Sequence, residues 1–268
     1  MVPLSVTGTR PAGPYQVNYG SPQYQPGLFW VPAQPVPLAI TGSPRIKGTF
    51  TGNVSNGVAL AGGHAWHSTA SDTSTYIDFG DSSLFVPTTE VTIAFTYQKT
   101  DTTARDSAAF GIPDAGNVAR RCNVSLPWQD NSIYWDFGGT SGNNRISTTS
   151  VSNLDKDNTF VFSAGPRGME IWRNGFLVIS ASGVPSARSA TTGTFRLMAS
   201  GVGASDLAKC TDFKMYTKQL PLALCSHLCS PNTRWDLYWT PSRRTYQFFA
   251  AAVGGATFPG YQSPFGWR

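Results

Sequence analysis

The clearest structural signal in the sequence is Met169-Glu170-Ile171-Trp172-Arg173-Asn174-Gly175-Phe176-Leu177-Val178-Ile179. Two runs rich in Ile, Val, Leu and aromatic residues flank the pair Asn174-Gly175. Asn-Gly is the pair that a tight two-residue hairpin turn prefers, because both central residues of such a turn need positive φ. The stretch therefore predicts a β-hairpin.

Other segments show the same strand character. Between residues 91 and 98, Val, Ile, Phe and Tyr alternate with Thr, Ala, Thr and Gln, which is the period of a strand with one buried face. Further candidate strands, each bounded by turn residues, are Tyr76–Phe79, Ile133–Phe137, Thr159–Ser163, Thr194–Ala199 and Thr211–Tyr216. Many short strands with almost no helical periodicity predict an all-β, two-sheet antiparallel β-sandwich or jelly-roll.

Composition agrees with this fold class. Only 13% of the 268 residues are charged, about half the ~25% usual in soluble domains, whereas Gly (27) and Pro (19) are abundant. Sandwich domains reach roughly 200–250 residues as one unit, so we expect one large domain over residues 46–230 with flanking segments. The low charge also suits a surface that packs against neighbouring subunits.

The first 45 residues differ in composition from the rest, because they are rich in Pro, Gly, Gln and aromatic side chains. Proline removes a backbone donor and fixes φ, so residues 1–45 are expected to form an extended arm. Aromatic side chains are costly in water, and we expect Tyr15, Tyr24, Phe29 and Trp30 to fill pockets on neighbouring subunits. The alternative is an arm that folds back on its own domain.

Charge and hydropathy exclude several partners. The net charge of +5 comes from scattered residues and not from one basic face, so nucleic-acid binding is not expected. No signal peptide and no apolar run of membrane-spanning length is visible, and we expect a protein that is made and used from the cytoplasm, without membrane contact.

The cysteines suggest a buried helix and not a metal site. Cys225 and Cys229 flank His227, but their spacing matches no common zinc pattern. Leu224, Cys225, Leu228 and Cys229 instead follow helical spacing after Pro221, as the buried stripe of one short helix with reduced thiols. No metal or other cofactor is predicted.

The sequence carries none of the common catalytic motifs. The only glutamates are Glu90 and Glu170, and no strand carries the paired carboxylates that a glycosidase of this fold class uses. His64 and His67 lack a third ligand, and Asp155-Lys156-Asp157-Asn158 lacks the Gly and distal Glu of a calcium loop. No nucleophile elbow, phosphate loop or dinucleotide motif occurs, so the chain is predicted not to be an enzyme.

Several of these segments, in this order, resemble laminin G-like, concanavalin A-like domains. The resemblance rests on Tyr76-Ile77-Asp78-Phe79-Gly80, the strand at 91–97, Ile133–Gly139, Phe160-Val161-Phe162, the hairpin, Asp212–Tyr216 and Gln219-Leu220-Pro221. The stretch from Cys229-Ser230-Pro231 to Arg243-Arg244 is similar to the tail that follows such domains in phage structural proteins. The resemblance covers roughly residues 45–245 and implies a sandwich with a short C-terminal helix.

From this resemblance we expect a non-enzymatic structural protein of a bacteriophage virion, most simply a capsid decoration or cement protein, or else a tail, neck or fibre component. Its partners would be the major capsid protein or tail and neck proteins, and copies of itself in a homo-oligomer. Residues 231–268 form an aromatic C-terminal tail that covers its own sheet or docks on a partner, where Arg243 and Arg244 could pair with carboxylates.

The alternative is a lectin-like receptor-recognition module for a host surface glycan. In that case an exposed aromatic residue would stack on a sugar while neighbouring polar side chains bind its hydroxyls. The loops that suit this role contain Trp128, Asp130 and Asn131, or Asn143 and Asn144.

Overall fold

The computed structural model describes residues 16–32, 34–42, 45–61, 63–113, 116–199 and 204–239. Within these ranges the chain forms nineteen strands, three single 3₁₀ turns and one α-helix. The strands are β1 (Gln16–Val17), β2 (Phe29–Val31), β3 (Thr49–Thr51), β4 (Val54–Leu60), β5 (Gly63–Ser68), β6 (Tyr76–Asp81), β7 (Val91–Lys99), β8 (Ser107–Ala108), β9 (Phe110–Gly111), β10 (Cys122–Ser125), β11 (Ile133–Phe137), β12 (Arg145–Thr148), β13 (Asn158–Gly165), β14 (Gly168–Arg173), β15 (Phe176–Ala181), β16 (Thr194–Leu197), β17 (Ala204–Ser205), β18 (Ala208–Tyr216) and β19 (Tyr238–Trp239). The helix is α1 (Leu222–Cys229), and the 3₁₀ turns are Ser82–Leu84, Val118–Arg120 and Gly142–Asn144.

Two antiparallel sheets make up the body of the molecule. One has eight strands in the order β15-β14-β13-β7-β18-β5-β4, with β2 pairing to β18 beside this path. The other has seven strands in the order β12-β11-β10-β9-β16-β6-β3. The two sheets pack face to face as a sandwich, which confirms the predicted all-β jelly-roll class.

The hairpin lies where the sequence predicts it. Strands β14 and β15 pair on either side of Asn174 and Gly175, whose φ angles of 51° and 92° are the positive values that the turn needs. A bulge between Ile171 and Trp172 shifts the register of the pair. The predicted hairpin is confirmed.

The main hydrophobic core fills the space between the sheets. It is built from one face of each central strand, including Phe95 of β7, Trp135 of β11 and Phe162 of β13, all at most 1% exposed. The ring of Phe162 contacts both of the others: its centroid lies 5.8 Å from that of Phe95, on which it stacks, and 5.9 Å from that of Trp135.

A second hydrophobic cluster covers the other face of the eight-stranded sheet. Helix α1 supplies Cys225, Leu228 and Cys229, and these meet Ala94, Val161, Trp172 and Tyr216 of the sheet. Segments from both ends of the described chain complete the cluster with Leu28, Trp30, Trp235, Leu237 and Tyr238. The predicted short helix with buried cysteines is present, Leu224 being only partly buried, and all four thiols are free and buried.

The N-terminal segment corrects one expectation. Phe29 and Trp30 are 4% and 0% exposed, and they belong to β2, which pairs with β18 of their own sheet. The indole Nε1 of Trp30 donates to Asp212 Oδ1 at 2.8 Å. These two residues are core residues of this chain and cannot fill pockets on neighbouring subunits, so the described part of the arm folds back on its own domain.

Of the other residues that were expected to bind partner proteins, one lies among the described residues and three lie outside them. Tyr24 is half-buried against the second cluster, with its ring 4.8 Å from that of Tyr19. Tyr15, Arg243 and Arg244 lie outside the described residues, as does the tail beyond residue 239. The part of the predicted tail that is described, with Trp235 and Tyr238, covers its own sheet.

Candidate functional site

The outward face of the seven-stranded sheet carries polar side chains because its strands alternate. In β11, Ile133, Trp135 and Phe137 enter the main core, so Tyr134 and Asp136 point to the opposite face. In β10, Cys122 and Val124 enter the core, and Asn123 and Ser125 take the outward positions.

These outward side chains form a pocket with the loop that joins β10 to β11. Its volume is about 170 Å³, and its walls are Arg121, Asn123, Ser125, Trp128, Asp130, Tyr134, Asp136 and Arg145. The register in which β10, β11 and β12 pair places three of these residues side by side, because Asp136 lies opposite both Asn123 and Arg145.

Asp136 is held between two arginines. Arg145 binds it with two parallel hydrogen bonds, Nε to Oδ1 at 2.6 Å and Nη2 to Oδ2 at 2.7 Å, and Arg121 Nη1 donates to Oδ2 at 3.2 Å. Asp136 is only 4% exposed. The hydrogen bond from Arg145 to Asp136 is the main reason why the pKa of Arg145 is raised.

A second chain of contacts fixes the aromatic wall. The hydroxyl of Tyr134 donates to Asp130 Oδ2 at 2.6 Å, and the guanidinium of Arg145 lies over the Tyr134 ring, 4.6 Å from its centroid. The hydrogen bond between Tyr134 and Asp130 lowers the pKa of Asp130 and raises that of Tyr134. Asp130 is therefore a carboxylate at neutral pH.

The loop from Pro127 to Ser132 is ordered by its own hydrogen bonds. Trp128 N donates to Ser132 O at 2.8 Å, Asn131 N donates to Trp128 O at 2.8 Å, and Asp130 Oδ1 accepts from Ser132 N at 3.1 Å. Asn131 takes positive φ (63°) at the tip, a conformation that Asn tolerates better than most residues. The turn leaves Trp128 half-exposed beside the pocket.

Three neutral polar groups in the pocket have no protein partner within the described ranges. Asn123 uses its Oδ1 to accept from Ile112 N at 3.0 Å and Cys122 N at 3.3 Å, which leaves its Nδ2 free to donate. No hydrogen bond from Ser125 Oγ or Trp128 Nε1 is found among the described residues. A flat ring beside several free hydrogen-bonding groups suits a ligand with one apolar face and several hydroxyls.

The structure places the predicted glycan-contact residues unequally. Trp128 and Asp130 line the pocket, whereas Asn131 lies at the exposed tip of the same loop and is not a wall residue. In the other suspected loop, Asn144 has a structural role, since its Nδ2 donates to Phe137 O at 2.7 Å and Ser186 O at 3.2 Å. Its neighbour Asn143 is exposed and lines no part of the pocket.

Sequence reasoning missed the wall residues outside the loop, which are Arg121, just before β10, and the strand residues Asn123, Ser125, Tyr134, Asp136 and Arg145. A signal for two of them was available. The alternation in Ile133–Phe137 places Tyr134 and Asp136 on the face opposite the core.

Two other features are absent from the described residues, a candidate metal site and a helix that could span a membrane. They contain no group of three or more His, Cys, Asp or Glu that could hold a metal ion. Among the same residues, no helix is long and apolar enough to cross a membrane.

The chain is thus a β-sandwich of the jelly-roll class that carries a polar and aromatic pocket on its seven-stranded sheet. No protein-family model matches it, and no curated protein sequence matches it. Solved structures do match. One is domain 4 of an extracellular GH43 arabinanase from Geobacillus stearothermophilus, in complex with arabinotriose (TM-score 0.56, 14% identity, 72% of this chain and 92% of that chain).

Two further structures are similar over much of this chain. They are the binding domain of botulinum neurotoxin DC in complex with rat synaptotagmin II (TM-score 0.56, 12% identity, 75% of this chain and 50% of that chain) and a Trypanosoma rangeli sialidase mutant displaying trans-sialidase activity (0.52, 13%, 79% and 33%). This chain thus spans nearly all of the arabinanase domain but half or less of the other two. At these identities the similarity shows the fold alone.

Proposed function

We propose that this chain is a non-enzymatic glycan-binding recognition module whose ligand site is the pocket on the seven-stranded sheet. The observation that carries the proposal is the placement of the half-exposed Trp128 ring beside the free donors of Asn123 and Ser125 and the carboxylate of Asp130. A sugar ring has an apolar face that packs on an aromatic ring and a rim of hydroxyls that need donors and acceptors.

The size of the pocket fits a ligand of this kind. Its volume of about 170 Å³ lies below the roughly 300–1,000 Å³ of pockets that enclose drug-sized ligands. One sugar ring, part of a longer chain that continues into solvent, is the ligand that such a pocket would accept.

Binding without hydrolysis is the role that the carboxylates support. A glycosidase needs one carboxylic acid with a raised pKa to protonate the leaving oxygen. The pKa of Asp130 is instead lowered, and Asp136 is committed to two arginines. Neither wall carboxylate is prepared as a general acid.

The matched folds give this proposal support by analogy. The arabinanase domain was solved with arabinotriose and the botulinum domain is described as a binding domain. A shared fold can host unrelated functions, so the weight of the proposal rests on the pocket residues.

The proposal is tested by screening the protein on an array of immobilised neutral and acidic glycans, and then measuring the affinity of the best ligand by calorimetry. Trp128→Ala should weaken that affinity at least tenfold, since it removes the stacking surface. Phe176→Ala is the matched control, because Phe176 is an aromatic residue that is 76% exposed on the other sheet and lines no part of the pocket. If no glycan binds, or if both variants bind like the unaltered protein, the proposal is wrong.

A virion building block, decorating a capsid or placed in a tail or fibre, remains a second proposal. One observation supports it: β1 pairs with β19, so residues 16 and 239 lie side by side. Residues 1–15 and residues 240–268 therefore leave the described body at the same place, from which both could bind the same neighbouring protein. Particles that lack the protein should release their genome at lower heat or osmotic stress while still adsorbing to cells; unchanged stability would contradict this role.

A further inference from the structure

We infer that the pocket selects an uncharged sugar ring over an acidic one, with Asp136 as the positioning residue that sets this selectivity. The inference rests on the proposed glycan-binding function and goes beyond it by naming the ligand class. It follows from the charges of the wall, from the geometry of the arginines and from the groups that are left to meet a ligand.

The wall carries balanced charge. Its ionisable side chains, Tyr134 apart, are Arg121, Arg145, Asp130 and Asp136, two positive and two negative at neutral pH. A pocket that captures a carboxylate or sulfate normally presents a net positive charge. Here an anionic ligand would enter a site whose arginine charge is already matched.

The arginine geometry works against an acidic ligand in the same way. A guanidinium recognises a carboxylate best with two parallel N–H groups. Arg145 already uses Nε and Nη2 in such a pair with Asp136, at 2.6 and 2.7 Å, and its flat face lies on the Tyr134 ring. Asp136 is an internal carboxylate in the place where a ligand carboxylate would bind.

The groups left for a ligand suit hydroxyls. Asn123 is only 6% exposed, its Oδ1 is fixed by two backbone donors, and its Nδ2 has no partner among the described residues. This Nδ2 is not itself a buried atom, so in the open pocket it is available to an acceptor on a ligand. A sugar hydroxyl or ring oxygen can accept from this donor, and another hydroxyl can donate to Asp130.

The test uses ligand pairs that differ only at the exocyclic C6, which is a hydroxymethyl group in one member and a carboxylate in the other: methyl galactopyranoside with methyl galactopyranosiduronate, and methyl glucopyranoside with methyl glucopyranosiduronate. An array that includes neutral, uronic-acid and sialic-acid termini identifies other ligands. At pH 7 the neutral member of the better pair should bind at least tenfold more tightly than the acidic member. Equal or tighter binding of the acidic member would overturn the inference and leave glycan binding intact, whereas no binding to any ligand would remove both.

A specificity change provides the second arm. Asp136→Asn removes the internal carboxylate while keeping its shape, so the ratio of acidic to neutral affinity should rise at least tenfold. Asp78→Asn is the matched control, because Asp78 lies on another strand of the same sheet, lines no part of the pocket, and accepts from Gly80 N at 2.7 Å. An unchanged ratio in a folded Asp136→Asn protein would show that Asp136 does not set the selectivity.

Asp136 is nearly buried, so a variant that fails to fold must be anticipated. Asp130→Asn then serves as a second probe, since Asp130 is exposed and its loss removes one negative charge from the rim. It should also raise the acidic-to-neutral ratio, by a smaller factor than Asp136→Asn. No rise in this folded variant would contradict the charge argument.

Discussion

Among single residues, the buried carboxylate of Asp206 allows a sharp test of the packing. Asp206 accepts from Lys99 Nζ, from the hydroxyl of Tyr97 and, at 3.2 Å, from Ser107 Oγ, and the side chains of Lys99 and Asp206 are fully buried. Removing one partner of a buried ion pair typically costs about 3–5 kcal/mol, because the other charge stays buried without compensation. Lys99→Met should therefore lower the free energy of unfolding by about this amount, as measured by urea denaturation.

The control for this prediction is an ion pair at the surface. Lys156 and Asp155 form one at 2.8 Å with side chains 70% and 48% exposed. Solvent screening leaves such pairs with little effect on stability. Lys156→Met should leave the unfolding midpoint unchanged, and equal losses in the two variants would show that the Asp206 network is not special.

The pKa of Asp130 gives a prediction about pH. Its folded-state pKa lies below the ordinary value of 3.8, chiefly because the Tyr134 hydroxyl donates to it. The hydrogen bond to the carboxylate is therefore fully present above about pH 5 and is lost as the pH falls through the folded-state pKa. Glycan affinity, measured by calorimetry, should be flat from pH 8 to pH 5 and should fall only in more acidic solution.

Asp130→Asn separates this carboxylate from other titrating groups. The variant should bind more weakly at neutral pH and should lose most of the acidic limb of the profile. A fall in affinity between pH 8 and pH 6 in the unaltered protein would mean that a different group controls binding.

At the scale of elements, the sequence predicted the strands that carry local signals. The Asn174-Gly175 turn, the alternation over residues 91–98 and the helical spacing of Cys225 and Cys229 each correspond to an observed element. Strand β2 was missed because Phe29–Val31 is only three residues long and is followed by Pro32, and short strands near prolines have no periodicity to read. Strand β2 pairs with the last part of β18, whereas the first part of β18 pairs with β5. Asp212, which has positive φ, lies between the two parts of β18.

In the candidate site, too, only the residues with a local sequence signal were predicted. Trp128 and Asp130 were predicted because an aromatic residue and turn-forming polar residues stand together in one loop. Arg145 and Asp136 could not be paired from the sequence, because their contact depends on the register of β11 against β12. Register is set by the hydrophobic pattern and by the geometry of the connection, and the connection over residues 138–144 is longer than the two-residue turns whose geometry the sequence indicates.

The position of β2 leads to a prediction about truncation. Burial of large apolar side chains contributes roughly 1.5–3 kcal/mol each, and Phe29, Trp30 and Val31 are all nearly or fully buried. Their sum is comparable to the ~5–15 kcal/mol that stabilises a whole domain. Deletion of residues 1–45 should therefore abolish cooperative unfolding, as followed by circular dichroism during heating.

A shorter deletion is the control for the loss of β2. Removing residues 1–15 leaves every strand pairing and core residue described above in place, and this variant should unfold cooperatively. If the protein without residues 1–45 keeps a sharp transition near that of the full chain, β2 is dispensable and residues 1–45 are an arm after all.

At the scale of the whole molecule, two hydrophobic clusters share the same strands. The main core lies between the sheets and the second cluster lies under α1 on the other face of the eight-stranded sheet. Neighbouring residues of one strand enter different clusters, as Phe162 and Val161 do in β13 and Met215 and Tyr216 do in β18. Neither cluster can lose its strands without disturbing the other.

We therefore expect one unfolding transition for the described body, although it has two cores. Calorimetry should give equal calorimetric and van't Hoff enthalpies, which is the criterion for two-state unfolding. Incorporation of 5-fluorotryptophan gives each tryptophan its own ¹⁹F resonance, so the Trp135 signal reports on the main core and the Trp30 signal reports on the second cluster. The variants Trp30→Phe and Trp135→Phe assign these two resonances. Coincident midpoints for the two signals and for circular dichroism are expected. An earlier loss of the Trp30 signal would mean that α1 and the chain ends detach before the sandwich unfolds, so that the second cluster is a cover and not part of the core.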